Sequence, residues 1–203
     1  MKYINKRNEP KSFTDWKNED NIEYAKLVNP IKSDVKDALL IEQGYICCYC
    51  ESKISKDNSH IEHFKPKDKD KFPELQLNYN NLLCSCQKQL SKGEPRHCGN
   101  SKCNDMISIT PLDINCEAKF QYNADGKIYS TDKTSKETIQ TLQLDIDKLN
   151  DLRNKAIEPF LIDPITFKEL SEDELQIFVK GYLEKKDGIY NEFYTTIKYL
   201  FTQ

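Results

Sequence analysis

The sequence predicts an α+β fold: a small zinc-stapled core with an N-terminal arm, a β-hairpin and a C-terminal helical extension. Three observations predict it. Seven of the eight cysteines and all three histidines fall between residues 47 and 104. Short alternating segments bounded by turn residues fill the middle of the chain, and helical periodicity takes over towards its end. Hydrophobic residues make up only 37% of the chain and charged residues 31%, so a modest apolar core gains from a metal that folds with it. The expected divisions are an arm over residues 1–32, the core over 33–115, and a hairpin with helices over 116–203.

The arm is polar, with Tyr3, Ile4, Phe13, Trp16, Tyr24 and Leu27 as spaced apolar groups. It reads as a segment laid over the core or offered to a partner. The N-terminal MKYINKRNEP lacks the apolar stretch of a secretory signal, and no run approaches the ~20 apolar residues of a membrane span. A cytoplasmic protein without membrane contact is expected, and cysteines in a reducing compartment read as metal ligands rather than disulfides.

A helix is expected over about 33–43. Ser33 is its candidate N-cap, Val35, Leu39 and Leu40 share one face, and Gly44 stands where a C-cap belongs. It delivers Cys47 and Cys50, a C-x-x-C pair whose turn aims two thiolates at one tetrahedral ion, while Cys48 points elsewhere. His60-Ile61-Glu62-His63-Phe64 alternates as a short strand, with His60 and Glu62 on one side and His63 on the other. Glu62 and His63 therefore need a bend to serve one ligand. A helix is expected to carry part of the downstream cysteine cluster.

Residues 107–112 read as a strand ending at Pro111. Asp125-Gly126 between Phe120–Tyr122 and Lys127–Tyr129 reads as a hairpin turn. Ile139, Leu142, Ile146, Leu149 and Leu152 predict one helix from Thr134 to about Pro159. Ser171 with Glu174 is a capping box for the next helix, and an aromatic-rich last helix is expected over about 190–201, read as core ahead of a partner surface.

Net charge is −3, against indiscriminate nucleic-acid binding. Its distribution is uneven. Residues 52–105 hold 10 Lys/Arg and 7 Asp/Glu, a net +3, and residues 137–203 hold 8 and 13, a net −5. A basic core suits phosphate and an acidic tail suits another partner.

The motifs CCYCES, HIEHFKPK, NNLLCSC and HCGNSK resemble the HNH endonucleases. Together with MKYINKRNEP…W, ITPLD…C and TIQTLQLDIDKLNDLR, they resemble the PtuB branch, the HNH component of Septu and related retron defence systems. The resemblance covers most of the chain, least the arm's interior and the residues after about 159. It implies a ββα-metal core with a structural Zn²⁺, and hydrolysis of phosphodiester bonds in anti-phage defence beside a PtuA-like ATPase. His63 would be the general base. Glu62 would hold a catalytic Mg²⁺ or Mn²⁺, a hard carboxylate for a hard cation. Asn81 would hold the loop bearing His63.

Two positions depart from the family pattern. Gly99 stands where most HNH proteins place Asn or His, which leaves Asn104 as the second ligand of the catalytic ion, with Asn100 behind it. The fourth cysteine's usual place is Gln89, so the zinc set is Cys47, Cys50, Cys86 and Cys98, with Cys84, His97 and Cys103 still open. His60, Lys65, Lys67, Lys69, Lys71, Arg96 and Lys102 are the candidate phosphate contacts. DNA stands ahead of RNA as substrate, although no base-reading element separates them. The same nuclease acting on RNA such as tRNA, and a non-catalytic zinc module binding nucleic acid or protein, are the alternative functions.

Overall fold

The computed structural model describes residues 1–68, 71–162 and 169–202. Among the described residues it is an α+β chain of seven α-helices and two small antiparallel sheets. Helix α1 spans Lys11–Trp16 and α2 Ile31–Gln43. Strands β1 (His60–His63) and β2 (Leu82–Ser85) form the first sheet, followed by the four-residue helix α3, Gly99–Lys102. Strands β3 (Gln121–Tyr122) and β4 (Ile128–Tyr129) form the second. Helices α4 (Lys133–Thr141), α5 (Asp147–Leu161), α6 (Glu172–Leu183) and α7 (Tyr194–Phe201) complete the chain.

The arm is part of the core. Met1, Ile4, Phe13 and Leu27 are buried in the same apolar cluster as Val35, Leu39 and Leu40 of α2 and Leu82 and Leu83 of β2. Glu51, next to Cys50, is buried and draws three distant segments together. It pairs with the Met1 main-chain amine at 2.7 Å and accepts hydrogen bonds from the Thr195 amide and hydroxyl at the start of α7. A second, smaller apolar cluster joins Ile157 and Phe160 of α5 to Val179 of α6 and Ile197 of α7. The aromatic C-terminal end thus contributes to a core, while Ile177 and Phe178 stay exposed.

Several local signals behave as their chemistry dictates. Gly44 closes α2 in the left-handed conformation at φ 62°, a position where glycine has no Cβ penalty. Ser171 and Glu174 form the reciprocal capping box of α6. The hairpin pairs Gln121 with Tyr129 and Tyr122 with Ile128.

Four expectations need correcting. Helix α2 begins at Ile31, behind Pro30, so Ser33 lies inside it and caps nothing; Pro30 presets the backbone and Ile31 gains burial by joining the helix. Among the described residues, 107–112 find no ladder partner and make a single backbone bond to the arm, Ile4 N–H to the Pro111 carbonyl at 2.8 Å. The single helix expected from Thr134 is two. Gln143 turns left-handed at φ 50°, and the break buries both Leu142 and Leu144 completely. The freed Leu142 carbonyl accepts the Cys98 amide at 2.7 Å, and the Leu144 carbonyl accepts the Arg153 guanidinium at 2.8 Å. A continuous helix would spend those carbonyls on itself. Last, α7 starts at Tyr194, because Phe193 is left-handed at φ 51° and its side chain is buried.

Candidate metal centre and active site

The β1–β2 hairpin carries chemistry at both ends. His60 pairs with Ser85, Ile61 with Cys84, Glu62 with Leu83 and His63 with Leu82. At the Ser85 end, Cys86 follows the strand directly, and the Cys47–Cys50 turn lies beside it. Cys98 arrives from the other side at φ 56° and leads straight into α3.

The sulfurs of Cys47, Cys50, Cys86 and Cys98 all lie within 4.8 Å of one another, and all four residues are buried. The Cys50 and Cys86 sulfurs are 3.8 Å apart. A tetrahedral zinc with bonds of ~2.3 Å has sulfur–sulfur edges of about 3.8 Å, so the cluster has the size such an ion needs. Its electrostatics ask for a cation. Burial works to raise the Cys47 thiol, yet hydrogen bonds from Cys48, Cys50, Cys86 and Cys98 hold it well below its ordinary value, and Cys50 falls to about 6. Cys86 and Cys98 go up, Cys86 mainly through its neighbours Cys47 and Cys50 and Cys98 mainly through burial. Two of the four thiols thus resist ionising beside the other two, and all four become thiolates only around a positive ion.

The other thiols and His97 fall outside this set of four. Cys84 is buried 3.9 Å from the Lys36 carbonyl, with burial pushing it up to about 12, and Cys103 is exposed. Cys48 is buried, with its amide on the Cys84 carbonyl. His97 backs the cluster, its Nδ1 3.2 Å from the Cys98 sulfur and 3.7 Å from that of Cys86.

At the other end Glu62 and His63 are both 7% exposed and leave the strand on opposite faces. Pairing stays regular through His63, and the chain bends only at Phe64 and Lys65. Glu62 turns towards α3. Its Oε1 accepts the Tyr49 hydroxyl at 3.2 Å and lies 3.0 Å from the Lys102 ammonium. Its Oε2 is 3.7 Å from His60 Nε2. Burial works to raise its pKa, but the His60 contact and the Lys102 charge outweigh it and hold the carboxyl below its ordinary range. Gly99 is what lets α3 approach. A Cβ there would fall 2.6 Å from Glu62 Oε2 and 2.9 Å from His60 Nε2, so the two donors share a cradle that a side chain would fill.

His63 packs edge-on against the Tyr24 ring with centroids 4.4 Å apart. Its Nε2–H donates to the Gln76 carbonyl at 3.0 Å. A carbonyl only accepts, so the proton sits on Nε2 and Nδ1 keeps its lone pair. Burial first, with the charges of Lys67 and Lys102, moves the His63 pKa below its ordinary value, so the ring is neutral near pH 7. Asn81 clamps the loop that follows, accepting the Lys65 amide at 2.8 Å and donating to the Lys65 and Leu75 carbonyls at 2.9 and 3.1 Å.

The remaining sequence candidates separate. Lys102 is not a surface charge: it is fully buried, its ammonium bridging Glu62 and the His63 carbonyl at 3.0 Å each. Lys65, Lys67, Lys71 and Arg96 are exposed, with the Lys67 ammonium 4.9 Å from the centre of the Tyr24 ring that packs on His63. Lys69 lies outside the described residues. Asn100 donates to the Gln87 carbonyl at 2.6 Å. Asn104 is exposed in the turn after α3 and, among the described residues, no hydrogen bond links it to Glu62 or His63. Sequence reasoning missed Tyr49, Tyr24 and Gln76, because the contacts that matter come from a tyrosine inside the knuckle, a ring in the arm and a main-chain oxygen.

No family model matches the chain. Over 120 residues it is 32% identical to the "Retron Vc95 putative HNH endonuclease" of Vibrio cholerae serotype O1 biovar El Tor, covering 59% of this chain and 58% of that protein. Over 122 residues it is 33% identical to the Septu protein PtuB of Bacillus thuringiensis, covering 58% of this chain and 44% of that one. The chain is thus similar over more than half its length to proteins named as an HNH endonuclease and as PtuB. It spans about half the length of these curated relatives. No helix among the described residues is long and apolar enough to cross a membrane.

Proposed function

We propose that this HNH/PtuB-like chain is an endonuclease of anti-phage defence that hydrolyses phosphodiester bonds with a divalent ion. The observation that carries the reading is the end of β1, where a neutral histidine with a free Nδ1 stands next to a buried, ionised carboxylate. In this reading β1, β2 and α3 are the ββα unit, and the cysteine quartet holds Zn²⁺ as its staple. Residues 1–32 and 116–203 flank that unit.

Each residue of the site has a role its contacts suit. His63 Nδ1 takes the proton of the attacking water, and the bond from Nε2 to Gln76 fixes the ring for it. Asn81 holds the loop behind it. Glu62, with His60 beside it, would hold the Mg²⁺ or Mn²⁺, which when bound polarises the phosphate and stabilises the leaving oxygen. Asn104 sits two residues beyond α3 and is a further candidate donor. Lys102 neutralises Glu62 and ties its orientation to the backbone at His63. A substrate phosphate straddles the end of β1, with Lys65 and Lys67 on the His63 side and Arg96 beside the cysteine cluster as exposed backbone contacts.

The kinship with PtuB supports a PtuA-like ATPase as partner, and α6, acidic in its first turn with Ile177 and Phe178 exposed, is the face offered to it. Purified chain, alone and with the ATPase of its genomic neighbourhood, should cut end-labelled DNA when Mg²⁺ or Mn²⁺ is added and stop on chelation. A parallel RNA substrate separates the two nucleic acids. Cutting of neither, with any divalent ion and with the partner present, overturns the proposal.

A further inference from the structure

A cavity of about 320 Å³ opens between the N-terminal arm, the C-terminal end of α2 and the segment after α6. Neither Glu62 nor His63 lines it. Three cations do: Lys2, Arg7 and Lys185. Lys2 and Lys185 are gathered by one aromatic ring, their ammonium nitrogens 4.5 and 4.9 Å from the centre of Tyr190. That ring is fixed. Its amide donates to the Gly44 carbonyl at 2.9 Å, and a Cβ on Gly44 would fall 2.4 Å from it. The platform that holds the two lysines is thus part of the C-cap of α2.

Among the described residues, the charge in this cavity is only partly balanced. Its lining has one acid, Glu42, and that carboxylate is already committed: Lys6 Nζ at 2.7 Å, the Tyr79 hydroxyl at 3.0 Å and the Arg7 amide at 2.8 Å. Lys2 has Glu117 at 3.5 Å, a carboxylate shared with Lys198 at 2.8 Å. Among the described residues, neither the Arg7 guanidinium nor the Lys185 ammonium has an acidic partner. Burial, then the charges of Arg7 and Lys2, push the Lys185 pKa below its ordinary value, as expected of like charges held together.

We propose that this cavity is an anion site for a phosphate monoester. A forked guanidinium and two ammonium groups match the several oxygens and the double charge of such a group, where a single carboxylate would leave charge over. The volume falls in the range of small-ligand pockets, large enough for more than a bare ion. The phosphate can come from a free mononucleotide or from the 5′ end of a strand. The site uses no residue of the Glu62–His63 cluster; its floor shares Cys47 with the sulfur quartet.

Calorimetric titration of the full chain with inorganic phosphate, a 5′-mononucleotide, and one oligonucleotide with and without its 5′-phosphate tests this. At least one phosphate probe should bind. In the Arg7→Gln/Lys185→Gln double variant binding should weaken about tenfold or more, the scale of losing charge-assisted hydrogen bonds. Tighter binding of the oligonucleotide when phosphorylated, with the difference lost in the double variant, assigns the strand end, and binding of the mononucleotide without that difference assigns the free nucleotide. If the double variant melts early, Arg7→Gln alone, whose side chain makes no hydrogen bond among the described residues, replaces it with a smaller loss expected. No binding of any probe, or binding unchanged in the variants, overturns the proposal.

Discussion

The two ends of the β1–β2 hairpin are built from opposite materials. One end gathers four buried sulfurs at the spacing of a single tetrahedral ion. The other gathers a carboxylate, the His63 imidazole and a buried ammonium, and His60 reaches the same carboxylate from the Ser85 end of the strand. Soft ligands that saturate an ion make a closed structural site, and hard oxygen with uncommitted nitrogen makes a site that can still react. Cys98 joins them, because the residue that closes the sulfur cluster also starts α3, which packs Gly99 and Lys102 against Glu62. The difference teaches that the geometry of the reactive end is inherited from the closed one.

Breaking the sulfur end should have the largest effect. Structural zinc contributes roughly 10–16 kcal/mol in small metal-folded units, as much as a domain's whole stability. Cys98→Ser should lose bound zinc by elemental analysis and lose its cooperative thermal transition. A variant that melts like wild type without zinc would separate the two ends.

Removing the ammonium at the reactive end comes next. Lys102→Ala leaves Glu62 buried without its cation, and breaking a buried pair costs about 3–5 kcal/mol. Urea melts should shift by that amount while zinc content holds. An unchanged midpoint would show that Glu62 does not depend on Lys102.

Acid should reveal the state of His63. Its folded pKa lies below the unfolded value of ~6.5, so the unfolded chain takes the proton first and stability from this group falls as pH drops below that value. In the proposed reaction the neutral ring takes the proton, so the rate should hold on its plateau below pH ~6.5 and fall only where the buried ring titrates. A limb centred at or above 6.5 would contradict the burial argument. The smallest effect belongs to the exposed lysines: Lys65→Ala or Lys67→Ala should weaken nucleic-acid binding uniformly across sequences and flatten the salt dependence by about one unit of slope.

The same contrast explains what the sequence could tell. The four clustered cysteines were legible because C-x-x-C spacing and ligand crowding are local, and the Gly44 cap, the Ser171 capping box and the hairpin turn are local as well. Glu62 and His63 stood out as a pair, but their divergence onto two faces was legible only as a consequence of strand alternation. Lys102 was hidden. A lysine in a basic stretch reads as surface, and only the close approach of α3, permitted by Gly99, turns it inward. The break between α4 and α5 was hidden too, since Leu142 and Ile146 keep the helical spacing on both sides of it. What decides there is the demand of Cys98 and Arg153 for two main-chain carbonyls, a tertiary need with no sequence signature.

The most direct test is the cleavage rate of labelled DNA and RNA by His63→Ala beside wild type, with Mg²⁺ or Mn²⁺, with zinc content and thermal midpoint measured on the same preparations. A lost general base costs about 10²–10⁴ in rate, so the account predicts a fall of that size with one zinc per chain retained in both proteins. Undiminished cutting by His63→Ala, or the same fall accompanied by loss of zinc, would contradict it.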